Sequence, residues 1–314
     1  NDAPSFTASD VTVDEDAGLQ TITGWASFTA GPANESSQGV NDYVVNITGV
    51  AGLLTAAGVD VTNTGDLTFT PAADANGEVT FEVSVQDDGG GSDDTSPTQT
   101  FTITIDAVND APSFTASDQT VDEDAGAQTV TSWASFTAGP ANESGQGVQR
   151  YIISNVTNGN LLSSGPTVST SGELSYTPAA DANGVVTFEV AVQDDGGTAN
   201  GGDDTSPTQT ITITIDEVND APSFTASDVT VDEDAGLQTI TGWASFTAGP
   251  ANESSQGVND YVVNITGVAG LLTAAGVDVT NTGDLTFTPA ADANGEVTFE
   301  VSVQDDGGGS DDTS

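Results

Sequence analysis

The side chains with chemical potential in this chain are oxygen donors, and they recur in fixed groups. Asp14, Glu15 and Asp16 stand together in VDEDAG. Asp74 and Asn76 lie in PAADANG, and Asp106, Asn109 and Asp110 in DAVNDAP. The same groups return as Asp122, Glu123 and Asp124, as Asp181 and Asn183, and as Asp216, Asn219 and Asp220. A further motif, VQDDGG, sets acid pairs at Asp87 and Asp88, at Asp194 and Asp195, and at Asp305 and Asp306. Carboxylates and carboxamides at this density suit a hard divalent cation. Ca²⁺ takes about 6–8 oxygen ligands in a flexible shell, whereas Mg²⁺ demands a tight octahedron and sheds water reluctantly.

The rest of the composition removes competing chemistries. The 314 residues include 48 acidic side chains, a single basic one (Arg150), and no His, Cys or Met, for a net charge of −47. One Arg cannot displace the counterions of a nucleic acid. An anionic membrane surface repels such a chain. Thiolate and imidazole metal sites, disulfides, a His base, a Cys nucleophile and a Lys Schiff base all lack their residues. No run of 18 apolar residues is present to span a bilayer, and no signal peptide opens the chain. Disorder is a poor description, because 35% of residues are hydrophobic and they alternate with polar ones in short runs.

The acids need a scaffold, and internal repetition defines it. NDAPSFTASD begins at Asn1, Asn109 and Asn219, and residues 219–314 repeat 1–96 letter for letter. The expected domains are therefore 1–108, 109–218 and 219–314, each the size of an ordinary single domain. In the first, alternation marks seven segments. They start at Val11, run over Leu19–Phe28, and continue around Tyr43–Ile47, Val59–Val61, Leu67–Phe69, Phe81–Val85 and Phe101–Ile105. Period-2 runs separated by Gly, Asn, Asp and Pro are half-buried strands joined by turns. Seven short strands in about 110 residues predict an all-β fold, tandem Greek-key β-sandwiches. The stretch LLTAAG at 53–58 reads as a helical turn.

In a seven-strand sandwich, loops alternate between the two ends. Asp14–Asp16, Asp74 with Asn76, and Asp106 with Asn109 and Asp110 then converge at the bottom of the first unit. The top of the second faces them with Asp194 and Asp195, Asp203 and Asp204, and Asn142 and Glu143. Like charges 4–6 Å apart raise each other's pKa or push segments apart. With no Lys and a lone Arg, a shared Ca²⁺ is the available remedy. The metal-free junction is expected to be a bent, fluctuating string of beads, and the loaded one locked. A unit about 40 Å long follows from strand rise, hence about 120 Å for three.

DAVNDAP between units, the DED triplet, TPAADANGEVTFEV and VQDDGG together resemble the bacterial cadherin-like (Ig-like) tandem repeats of giant surface proteins and adhesins, over essentially the whole chain. The resemblance implies calcium at the junctions, stiffening a string of sandwiches. Glu15 matches the acid ending the first strand, Asp74 the acidic loop before the sixth, and Asp106, Asn109 and Asp110 the acidic linker. Two departures stand out. The linker reads D-x-V-N-D-A-P, and the loop TAGPANESSQG lacks the D-x-D of many relatives. The number of ions per junction is accordingly open.

Plainer readings sit beside these. DDGG also suits a tight turn; Asp93 and Asp94 are weaker ligands, and Asp10, Asp42, Asp60 and Asp66 read as solvated turn residues. No EF-hand loop occurs. Paired carboxylates also serve glycoside hydrolysis, but an active site normally sits once, in an aromatic pocket. Trp25, Trp133 and Trp243 occupy equivalent core-like positions instead. Asn34, Asn46, Asn142, Asn155, Asn252 and Asn264 begin N-x-S/T, frequent by chance in such a chain. The expectation is a non-enzymatic, extracellular calcium-dependent spacer of an adhesin. Its partners are neighbouring repeats, with no nucleic acid and no membrane insertion. The alternatives are a self-assembling filament and an accessory region of a secreted hydrolase. The third unit stops before a last strand like SPTQTFTITIDAV, through either a window cut from a longer chain or a strand donated by another.

Overall fold

A computed structural model describes residues 1–309 and 311–314, without the side chains of Ala51 and Ala269. The first unit holds β1 (Ser5–Thr7), β2 (Val11–Asp14), β3 (Gln20–Ile22), β4 (Ser27–Thr29), β5 (Val40–Ile47), β6 (Leu54–Val61), β7 (Leu67–Pro71), β8 (Gly77–Asp87) and β9 (Gln99–Asp106). One sheet runs β2-β9-β8-β5, a second β3-β7-β6, and β1 pairs with β4. The second unit repeats this with β10 (Ser113–Thr115), β11 (Gln119–Asp122), β12 (Gln128–Val130), β13 (Ser135–Thr137), β14 (Val148–Thr157), β15 (Leu162–Val168), β16 (Leu174–Pro178), β17 (Gly184–Asp194) and β18 (Gln209–Asp216). The third has β19 (Ser223–Thr225), β20 (Gln238–Ile240), β21 (Ser245–Thr247), β22 (Val258–Ile265), β23 (Leu272–Val279), β24 (Leu285–Pro289) and β25 (Phe299–Asp305).

The two faces meet over one core. Alternate residues of β8 (Val79, Phe81, Val83, Val85) and of β9 (Phe101, Ile103, Ile105) face inward onto Leu67 and Phe69 of β7. Trp25 packs edge-on against Phe101, with ring centroids 4.8 Å apart, and its indole N–H donates to the Ser9 carbonyl at 2.7 Å. A buried indole needs such an acceptor. Trp133 and Trp243 make the same bond, to Ser117 and Ser227.

Three expectations change. β1 lies ahead of the first predicted segment, which starts at Val11, and the second, Leu19–Phe28, is split, because β4 pairs with β1 while β3 joins β7. The break between β3 and β4 falls at Gly24, whose φ of +65° suits glycine and whose N–H is held by Asp66 at 2.7 Å. LLTAAG is mainly strand: a 3₁₀ turn occupies Ala51–Leu53 and β6 starts at Leu54. Asp66, and Asp10, whose carboxylate accepts the Thr102 N–H at 2.8 Å, are structural braces rather than merely solvated. In the third unit, Ser227–Phe299 includes the lining of an open flank of about 600 Å³, on the face that β9 covers in the first. No described helix is long and apolar enough to cross a membrane.

Candidate metal centre

The parallel pairing of β2 with β9 builds the junction. Its register, Val11↔Ile103 through Asp14↔Asp106, ends both strands at one level. The chain then turns, so Glu15 N–H donates to the Asp106 carbonyl at 2.9 Å, and Val108 N–H donates to Glu15 Oε1 at 2.9 Å. Asp16 and Asp74 sit at φ +60° and +53°, a left-handed conformation that Asp tolerates. The Asp74 N–H donates to Asp16 Oδ1 at 3.2 Å. Both loops are thereby pinned beside the linker.

One carboxylate oxygen each from Asp16, Asp74 and Asp110 lies within 4.8 Å of the others, and Asp124, Asp181 and Asp220 repeat the arrangement at the second junction. The side chains predicted around them take distinct places. Glu15 and Glu123 are buried, and the carboxamides of Asn142 and Asn252, from the next unit, donate to them at 3.1–3.3 Å. Asn76 lines a cavity of about 160 Å³ at the first junction together with Glu15, Asn109 and Glu143. Asp194 and Asp305 are buried and accept from Asn109 and Asn219 of the linkers. Asp87 does the same for Asn1 at the first unit's top.

Other predicted ligands are not in the three-carboxylate clusters. Asp88, Asp195 and Asp306 accept the N–H of Gly39, Gly147 and Gly257 at 2.7–2.9 Å, which braces their own loops. Asp94 and Asp204 are tied to Gln86 and Gln193. Asp14 with Asp106, and Asp122 with Asp216, are cross-strand partners at the strand ends, and Asn183 shares the loop of Asp181. The sequence reading left out Gln38, Gln146 and Gln256, and touched Glu143 only in passing. The signal was the recurrence of P-A-N-E-S-x-Q-G in all three units.

Electrostatics at these loops is strained. Burial pushes the Glu15 carboxyl above its ordinary value; the Val108 N–H pulls it back, and Asp16, Asp110 and Glu143 raise it again. Asp110 is raised by burial and by Asp16 and Asp74. Burial also raises Glu143, Asp194, Glu123 and Asp220, each with further acids beside it. The one basic side chain, Arg150, donates to Gln193 Oε1 instead.

An oxygen-binding cation fits this donor set by an independent criterion. Among the described residues, Asp110 Oδ2, Asn109 Oδ1 and Glu143 Oε2 at the first junction are buried without a hydrogen-bond donor, as are Asp220 Oδ2, Asn219 Oδ1 and Glu253 Oε2 at the second. Each is an acceptor. Clustered acceptors without donors are costly unless a positive charge accompanies them.

A sequence profile of the family described as Bacterial Ig domain matches residues 1–105 and 219–314. No curated protein sequence matches the chain. Among solved structures, mouse cadherin-23 EC22–24 is similar at 15% identity and a TM-score of 0.51, covering 96% of this chain and 94% of that one. Human CDH23 EC21–23 is similar at 16% identity and 0.50, covering 99% and 97%. At such identity the likeness is one of fold.

Proposed function

Since the chain belongs to the bacterial Ig domain family, we propose that it is a non-catalytic, extracellular spacer segment of a surface adhesin, whose three units are held in line by Ca²⁺ at their junctions. The carrying observation is the meeting of Asp16 and Asp74 from one unit with Asp110 of the linker, in a protein with no basic group to spare for them. When bound, the ion supplies positive charge to these carboxylates and shares them between a unit and the linker that leads to the next. The Asp16 carboxylate is already oriented by the Asp74 N–H, and Asp234 accepts the same bond from the Asp292 N–H in the third unit at 3.0 Å. The half-site is thus part of each unit's own fold. Extracellular calcium modules bind at about 10⁻⁴–10⁻³ M, a level found outside cells and not in cytosol. The abundance of acid also favours solubility and disfavours nonspecific sticking.

Small-angle scattering and thermal unfolding of the chain, with calcium and then with chelator, test the proposal. A longer particle and a higher Tm with calcium are expected. Equal length and equal Tm would overturn it.

A further inference from the structure

The third unit has the sequence of the first up to the strand β9, and comparing the two shows what that strand does. Residues 219–314 equal 1–96 letter for letter. In the first unit β9 lies between two neighbours, antiparallel to residues 77–83 of β8 and parallel to β2. In the third, the corresponding backbone at 295–298 and 229–232 forms no strand, and β25 starts at Phe299. Burial follows the pairing. Phe81 and Val83 are fully buried, whereas their counterparts Phe299 and Val301 are half-buried. Trp243 and Phe287 are likewise half-buried where Trp25 and Phe69 are buried.

The flank of about 600 Å³ is therefore a shaped slot between two loose edges. Its apolar floor keeps the form that β9 fits. Trp243 and Phe299 stand with ring centroids 6.0 Å apart, against 5.8 Å for Trp25 and Phe81, the pair that receives Phe101. Polar grips stand at the rim. In the first unit Asp10 accepts the Thr102 N–H at 2.8 Å, the Phe6 carbonyl accepts from Gln99 Nε2 at 2.9 Å, and Glu15 accepts the Val108 N–H at 2.9 Å. Asp228, Phe224 and Glu233 hold the same places in the third unit's sequence, and Asp228 and Glu233 line the slot. The filling strand is distinctive too. Residues 99–105, QTFTITI, carry no charge in a chain with 48 acids, and the second unit's β18 differs from them only by Ile211 for Phe101. An acidic strand would be repelled by Asp228, Asp232, Glu233 and Glu296 around the slot.

We propose that the third unit is a strand acceptor: it takes from a separate chain an extended, uncharged segment in which Thr alternates with Phe or Ile, in the register that β9 keeps in the first unit. Alternate positions of a strand point to opposite faces, so the Thr side chains stay in solvent while the apolar ones enter the slot. An edge with unpaired N–H and C=O groups is a template for such a segment. Main-chain hydrogen bonds supply affinity, and the Trp243–Phe299 socket supplies selectivity. The incoming segment becomes an inner strand, so both loose edges order on it together. Nothing in this uptake uses an ion, and it stands or falls apart from the calcium reading.

Amide hydrogen exchange of the 314-residue chain, read by mass spectrometry, provides the test, with a synthetic peptide of residues 97–108 as the probe. The sequence GEVT occurs at both 77–80 and 295–298, so a fragment carrying it reports both units at once. Without peptide it is expected to show two populations, slow from the paired strand and fast from the loose edge. With peptide the fast population should merge into the slow one. A peptide with Ile103→Asp brings an unpaired charge into the slot and is expected to bind at least about tenfold more weakly. A chain extended after Ser314 by residues 97–108 fills its own slot, and should show one slow population and no peptide uptake. Two populations that persist in saturating peptide would overturn the inference. So would equal uptake of the I103D peptide, or uptake by the extended chain. A single population without peptide would overturn it as well, since the slot would then be closed or filled by a second copy.

Discussion

Glu15 serves two donors with one carboxylate. It accepts the Val108 N–H, accepts the Asn142 carboxamide of the next unit, and crowds Asp16, Asp110 and Glu143. Glu15→Ala leaves the Val108 N–H and the Asn142 amide without their acceptor. A cost of about 1–3 kcal/mol is expected in urea unfolding with chelator present. The raised carboxyls also set a pH dependence. Glu15, Asp110, Glu143 and Asp194, with Glu123 and Asp220 at the second junction, hold protons more tightly folded than unfolded. Their contribution is fully present below the ordinary value, 4.5 for a Glu, and is lost as pH rises through the raised folded values. Asp204, held low by Thr205 and Gln193, works in the opposite sense. In chelator the chain should therefore melt higher at pH 5 than at pH 7. Calcium should erase or invert that order, since its ligands must be deprotonated. A chelator profile that rises with pH would contradict the burial of these groups.

At the scale of the element, the decisive feature is the β2–β9 ladder, which ends two distant strands at one level and so delivers Glu15 to the linker. Its support is the inward row of β8 and β9. Phe81 is fully buried and packs near both Trp25 and Phe101, so Phe81→Ala should cost about 3–5 kcal/mol by chemical denaturation. The cost should be similar with and without calcium, because the residue touches no acid cluster. Alternation in the sequence was enough to find β5, β7, β8 and β9. It did not reveal that the second segment, Leu19–Phe28, divides between two sheets, because period 2 reports which face a residue takes and not which neighbour its strand pairs with. It misread 53–58 for a related reason: the turn and the strand meet at Leu54, and that short stretch carries no period of its own.

For the molecule as a whole, the junction is less bare than a string of repelling beads. Asn142 to Glu15 and Asn252 to Glu123 bridge consecutive units directly. Asn142→Ala with Asn252→Ala should broaden the distribution of lengths in chelator, by single-particle imaging or scattering, and narrow again when calcium is added. An unaltered distribution in chelator would show that these bridges align nothing. The string of letters alone determined the repeat, the all-β class and the supply of oxygen donors, because periodicity and charge are properties of the chain before it folds. It also brought Asp16, Asp74 and Asp110 to one end, since loops of a sandwich must alternate. Only the tertiary structure decided that Asp195 braces Gly147 while Glu143 and Gln146 hold oxygens without donors. Whether an oxygen is satisfied depends on N–H groups brought to it from distant positions, and their arrival is settled by packing, not by the residues on either side.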